Sequence, residues 1–155
     1  MKIENAIDAI RDYLDADNWN YDFNAEKQFI KCGVNISCKL KSIHLFISFN
    51  DNGYTVYGIC PMNADEETMS AVSEYITRAN YGLRCGNFEL DYSDGQVRYK
   101  VYTSTRGMDS VTTEVIKESI DIPCFMFDRY GDGLAALIMG FSDPTTEIEK
   151  AEKKD

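Results

Sequence analysis

Apolar residues Ile3, Ala6, Ile7, Ile10 and Leu14 recur at helical spacing, with Glu4, Asp8, Arg11, Asp12 and Asp15 mostly between them. The first predicted element is therefore an amphipathic helix. From Trp19 the period changes to two. Tyr21 and Phe23 precede a polar turn around Asn24 to Lys27, after which Ile30, Cys32, Val34, Ile36 and Cys38 alternate with less apolar neighbours, as a half-buried strand requires. A second hairpin follows, with Ile43, Leu45, Ile47 and Phe49 leading into Asp51-Asn52-Gly53, and Val56, Gly58 and Cys60 leading out. If Asn52-Gly53 forms a two-residue type I′ turn, Phe49 faces Val56, Ile47 faces Gly58 and Leu45 faces Cys60. The opposite face then pairs Phe46 with Ile59, Ser48 with Tyr57 and Asn50 with Thr55, and is less polar than a face meant only for water.

Helical period returns from Asn63 to Tyr81 through Met69, Val72, Ile76 and Ala79, with Asn63 as the expected N-cap and Gly82 as the stop. The third hairpin, Gly86 to Tyr102, turns at Asp94-Gly95. A two-residue turn there sets Tyr92 against Val97, Leu90 against Tyr99 and Phe88 against Val101. The other face opposes Asp91 to Arg98 and Glu89 to Lys100. Beyond Arg106-Gly107 helical spacing resumes with Met108, Val111, Val115 and Ile122, and Pro123 is expected to break or restart the helix. A further helix carries Tyr130, Leu134, Leu137 and Phe141. Runs of strands between helices, in the order α-β-β-β-β-α-β-β-α, predict an α+β fold: an antiparallel sheet of hairpins with helices packed on one face. Residues 1–144 form one domain in this reading, and Thr145 to Asp155 form a charged tail, frayed or loosely helical.

Charge narrows the partners. Sixteen basic residues against 26 acidic ones give a net charge of −10, which repels phosphate backbones and anionic lipid surfaces, so no nucleic acid and no membrane partner is expected. The sparse cluster Lys31, Lys39 and Lys41 does not make a basic patch. The N-terminus lacks the pattern of a signal peptide, and the longest near-apolar stretch, Leu134 to Phe141, is well short of the roughly 20 residues that span a bilayer. A cytoplasmic protein is expected. Five widely spread cysteines read as free, buried thiols.

Chemistry is harder to find. His44 is the only histidine, which excludes His-pair metal sites, and no C-x-x-C, H-E-x-x-H, G-x-S-x-G or phosphate loop is present. Asp128-Arg129-Tyr130-Gly131-Asp132-Gly133 has the outline of a calcium loop but lacks an acid at the third position and has Met139 at the twelfth. The pairs Asp128/Asp132 and Glu114/Glu118 read as wet helix faces. Cys32 and Cys38, on one strand, would lie roughly 20 Å apart. Cys85 is the thiol expected to be reachable, with only Arg84 to activate it. No catalytic residue, metal ligand or cofactor is expected.

The run Asn80-Tyr81-Gly82-Leu83-Arg84-Cys85-Gly86-Asn87-Phe88-Glu89-Leu90-Asp91, continuing through Asp94-Gly95-Gln96-Val97-Arg98-Tyr99, resembles the YbjN family of bacterial proteins. There a helix ends in Asn, and a Gly-x-Phe strand enters a D-G hairpin with an aromatic or basic second arm. The close match covers roughly Ala71 to Thr105, and these residues describe scaffold, not chemistry. The resemblance implies an α+β fold like that of type III secretion chaperones, a homodimer, and a role as a sensory transduction regulator that names no reaction. It carries over no catalytic residues.

Two functions remain in view. In the first, the chain is a non-enzymatic protein-binding, chaperone-like or regulatory module whose face at Phe46, Tyr57 and Ile59 meets a second copy or a segment of another protein. A terminal helix or the first hairpin could instead cover that face. In the second, the chain is a small-ligand sensor or enzyme, with tyrosines and carboxylates distant in sequence assembled around a pocket.

Overall fold

The computed structural model describes residues 1–153. Helix α1 (Ile3–Ala16) leads into strands β1 (Tyr21–Asn24), β2 (Phe29–Asn35), β3 (Ser42–Asn50) and β4 (Gly53–Asn63). Helix α2 (Met69–Asn80), strands β5 (Asn87–Leu90) and β6 (Gln96–Ser104), then helices α3 (Thr113–Ile138) and α4 (Pro144–Glu152) complete the chain. The six strands form one sheet in the order β1-β2-β3-β4-β6-β5, antiparallel throughout. The α+β expectation holds.

One sheet face carries Ile30, Leu45, Ile47, Val56, Phe88, Val97, Tyr99 and Val101, all buried beneath the helices. Helix α3 packs across β4 and β6, α1 lies over β3 and β4, α2 lies beside β5, and α4 packs on α2 and α3. Phe88 is the hub, its ring meeting those of Tyr99, Phe127 and Tyr130 edge-on at centroid distances of 4.8, 5.5 and 5.7 Å. Four tyrosines stand inside this core with their hydroxyls satisfied. Tyr54 meets Ser119 Oγ at 3.1 Å, and Tyr75 donates to the Tyr130 carbonyl at 2.9 Å. Tyr99 donates to the Cys85 carbonyl at 2.5 Å and Tyr130 to Glu152 at 3.0 Å. These rings are core posts, since a buried phenol needs a partner for its O–H.

Both tight hairpins keep the expected faces and lose the expected pairs. Ile47 faces Val56, Leu45 faces Gly58 and Phe46 faces Tyr57, two residues out of the anticipated register. Likewise Leu90 faces Val97 and Phe88 faces Tyr99. The cause lies in what the turn glycines do. Pairing runs on to Asn50 opposite Gly53, and neither Asn52 nor Gly53 takes a positive φ. Asn50 Oδ1 instead accepts from the Asn52 amide at 2.9 Å. Gly53 has no side chain because a Cβ there would lie 2.1 Å from the Thr103 carbonyl oxygen. In the third hairpin Asp91 to Gly95 form a longer loop closed by Gly95 N–H on the Asp91 carbonyl at 2.8 Å. A slip of two preserves side-chain parity, so every inward residue stays inward.

Other boundaries also move. Asn63 ends β4 and does not cap α2. Asp65 Oδ1 organises that entry, accepting from the amides of Glu67 and Thr68 and from the Thr68 hydroxyl. Pro123 neither breaks nor restarts a helix, and α3 runs through it. The ring, which removes one i→i−4 bond from the helix, packs against Gly58, where an added Cβ would sit 2.9 Å from Pro123 Cβ. Met108 and Val111 precede that helix, which starts after Thr112, and Phe141 lies beyond its end, 76% exposed.

The segment expected as a loose tail is largely helix α4, capped by Asp143, whose carboxylate accepts from the Thr146 amide at 2.9 Å. It buries Ile148 and Glu147, while Lys154 and Asp155 lie outside the described residues. Bonds from Lys150 and then Ser142 hold the Glu147 carboxyl below the usual carboxylate range, and bonds from Thr146 do the same for Asp143. A carboxyl depressed in the folded state stabilises it above the unfolded pKa, and that contribution is lost as pH falls through the folded value. Stability to urea is therefore expected to decline from about pH 5 downward. Glu147→Gln should flatten the decline between pH 7 and pH 3.5, and an unchanged slope would contradict the assignment.

Candidate functional site

The sheet face turned away from the helices is formed by the alternate residues of the same strands. Its centre is Phe46 on β3, opposite Lys31 on β2 and Tyr57 on β4. Phe29 lies beside Phe46 with ring centroids 5.1 Å apart, and Tyr57 on the other side at 6.2 Å, so three aromatic side chains from three adjacent strands form one row. Cations lie on its flanks. Lys31 Nζ is 4.9 Å from the Phe29 centroid and 5.8 Å from that of Phe46, and the Arg98 guanidinium is 4.3 Å from the Tyr57 ring, within cation–π range.

Ile59 faces His44 on β3. Together with Asp22, Lys31, Gly33 and Phe46 they line an open cleft of about 420 Å³. Phe46, Tyr57 and Ile59 are each half-buried, and they are shielded by one another and by flanking side chains, because among the described residues neither a helix nor the first hairpin folds over them. The β1-β2 hairpin continues the sheet instead of covering it.

Beyond Arg98 the face becomes ionic. Glu89 accepts from Arg98 at 2.6 Å and also from Lys100. Partial burial alone would raise the Glu89 pKa, but hydrogen bonds from Lys100 and Arg98 outweigh it and hold the carboxyl below its ordinary range. The expected partner Asp91 instead accepts from Ser93 in the hairpin loop. Sequence reasoning identified Phe46, Tyr57 and Ile59 but missed Phe29, Lys31 and Arg98 as parts of the same face. Parity along β2 could have placed the first two, whereas joining Arg98 to Tyr57 requires knowing that β6 lies next to β4.

The other residues singled out from sequence have different tasks. Asp128, half-buried, and Asp132, exposed, do more than face solvent. Asp128 Oδ1 accepts from the amides of Ser37 and Cys38 at 2.6 and 3.1 Å, and Asp132 Oδ1 from that of Lys39 at 2.7 Å. They anchor the loop after β2, which ends at Asn35, so Ile36 and Cys38 leave the strand and the spacing assumed for Cys32 and Cys38 does not apply. Burial pushes the Cys32 and Cys60 thiols up to about 11 and Cys124 to about 12. Cys85 is exposed, yet desolvation and then the charge of Glu118 raise its pKa as well, the reverse of activation. Among the described residues no three His, Cys, Asp or Glu side chains converge as a metal site would need, and no helix is long and apolar enough to cross a membrane.

Asn80, the last residue of α2, has a role that explains its place in the sequence motif. Its side-chain oxygen accepts from the Phe88 amide at 2.7 Å and its side-chain nitrogen donates to the Phe88 carbonyl at 3.0 Å. A single carboxamide thus satisfies both backbone groups that Phe88 turns away from β6.

Comparison with known proteins agrees with this scaffold. No curated protein matches the chain. Among solved structures, "Crystal structure of YbjN, a putative transcription regulator from E. coli" has the same fold, with a TM-score of 0.61 at 12% identity, covering 83% of this chain and 93% of that one. The family model of YbjN, described as "Putative bacterial sensory transduction regulator", matches residues 6–136. With most of its length matched and its sheet and helices in the same arrangement, the chain belongs to the YbjN family.

Proposed function

We propose that this chain is a non-enzymatic protein-binding module with a regulatory role, and that its open sheet face, centred on Phe46, Tyr57 and Ile59, is where a second copy docks. The observation that carries this reading is the aromatic row Phe29-Phe46-Tyr57 at the middle of an uncovered face. Its surroundings are the polar groups Asp22, Ser48, Thr55 and Lys100, the anatomy of an interface with an aromatic centre and a polar rim. Six strands about 4.8 Å apart, of 4 to 11 residues at about 3.3 Å per residue, present a face on the order of 700 Å². A stable complex needs about 800 Å² per partner, so sheet-on-sheet docking is of the right size.

Because Phe46 and Tyr57 do not belong to the helix-covered core, changing them should leave the monomer folded. Wild-type protein at about 100 µM is expected to scatter light as a dimer, and Phe46→Asp or Tyr57→Gln as a monomer with native circular dichroism, through the loss of aromatic anchors whose removal costs about 2 kcal/mol or more at such positions. A monomeric wild type, or a dimer that survives both substitutions, would remove this reading.

A further inference from the structure

The sheet has a second feature, at its edge, that the docking face does not use. Strand β6 runs on to Ser104, whereas β5 pairs only with Val97 to Lys100. In an antiparallel ladder alternate residues bond to opposite neighbours. The Thr105 amide donates to Asn52, so odd-numbered residues of β6 turn toward β4, and the Asp91 amide donates to the Gln96 carbonyl, so even-numbered ones turn toward β5. Tyr102 and Ser104 therefore direct their backbone N–H and C=O groups to an edge with no strand beside it among the described residues. On β5 the outward groups of Phe88 are occupied by Asn80. Tyr102 and Ser104 have no such cover, and no charged residue or proline guards the run Val101-Tyr102-Thr103-Ser104.

Next to this edge is a cleft of about 330 Å³, lined on the apolar side by Val101, Met108, Val115 and Ile122. Glu118 stands in its wall, and a neighbouring cleft that shares Glu118 and Ile122 adds Glu114, Asp121 and the 64% exposed Phe125. Lys117 pairs with Asp121, whereas Glu114 and Glu118 have no cationic partner among the described residues. Open backbone groups, apolar hollows and unpaired carboxylates are together what an extended basic segment would complement. A second copy of this edge would instead bring Glu114 and Glu118 against their own likeness.

We infer that the edge Val101–Ser104 receives an extended peptide segment of another protein by strand addition, with apolar side chains entering the cleft and a Lys or Arg reaching Glu118. Main-chain bonds to Tyr102 and Ser104 supply affinity, and the cleft and the carboxylate supply selectivity. The surface is separate from the face of Phe46, so the two functions are testable apart.

The probe is the octapeptide Thr-Val-Thr-Lys-Thr-Val-Thr-Val, whose valines and lysine share one strand face, titrated into nitrogen-15-labelled protein and followed by amide shifts and hydrogen exchange, in wild type and in Phe46→Asp. Shifts and slowed exchange at the Tyr102 and Ser104 amides in both backgrounds are expected. Glu118→Lys should weaken binding at least tenfold and favour a peptide with Glu in place of Lys. Ser104→Pro removes a donor that serves no bond within the fold and should abolish the shifts while circular dichroism stays native. No shift at millimolar peptide, equal binding of the Glu-substituted peptide to wild type, or shifts centred on Phe46 would overturn the inference. So would concentration-dependent protection of Tyr102 and Ser104 without peptide, which would assign the edge to a second copy. Loss of dimerisation without loss of peptide binding separates this inference from the proposed docking face.

Discussion

Replacing Phe88 with alanine is expected to destabilise the fold by about 3–5 kcal/mol, the range for truncating a fully buried aromatic. Phe88 is 2% exposed and belongs to one of the two shortest strand pairs, yet its ring meets Tyr99 from β6 and both Phe127 and Tyr130 from α3. Removing it takes the shared partner from three edge-on aromatic pairs at once and leaves a void bounded by the sheet and the longest helix. Neither wall can close it. Helix α3 is held in place by Pro123 against Gly58 and by Asp128 against the loop after β2. Denaturant unfolding read by Tyr and Trp fluorescence measures the effect. A loss under about 1.5 kcal/mol, the level of volume-conserving core changes, would mean that the site collapses and that Phe88 is not the hub. Phe88→Leu should recover more than half of the loss.

Gly95→Ala should be nearly as damaging, at about 3 kcal/mol, through two effects that a control can separate. At a φ of +76° an L side chain costs about 1–2 kcal/mol. In addition, a Cβ there would lie 1.8 Å from the Ala64 carbonyl oxygen, which is backbone and cannot swing away. The strand end must move, which breaks the bond from the Ala64 amide to the Gly95 carbonyl at 2.9 Å. Gly107 has a φ of +73° and nothing within 4 Å of its missing Cβ, so Gly107→Ala should show the conformational cost alone. Equal losses in the two variants would show that the approach of β4 to the hairpin plays no part.

These two glycines indicate what a sequence does and does not make legible. Alternation assigned every strand residue of the second and third hairpins to its correct face, because parity is a local property with period two. The pairs were wrong by two because Asn52-Gly53 and Asp94-Gly95 were read as turns in isolation. In the fold, Gly53 yields to Thr103 and Gly95 to Ala64, neighbours brought in by other strands. Pro123 misled for a related reason, since the space that admits it belongs to Gly58, 65 positions earlier in the chain. At the candidate face, Phe46, Tyr57 and Ile59 were legible from a single hairpin. The row they join was not, because Phe29 and Arg98 come from strands whose adjacency only the sheet order β2-β3-β4-β6 establishes. The loop-anchoring bonds of Asp128 and Asp132 were not legible because the donors, Ser37 to Lys39, lie some ninety residues away in the chain.

The carboxamide of Asn80 stands in for a missing seventh strand one residue long, and this has a kinetic corollary. Phe88 cannot detach from its place without either stripping two peptide groups bare or drawing the last turn of α2 along with it. Local breathing at that rim of the sheet is thereby tied to fraying of a helix end. The Phe88 amide should accordingly exchange its proton in step with those of Ala79 and Asn80, as part of one cooperative unit rather than as a loose border.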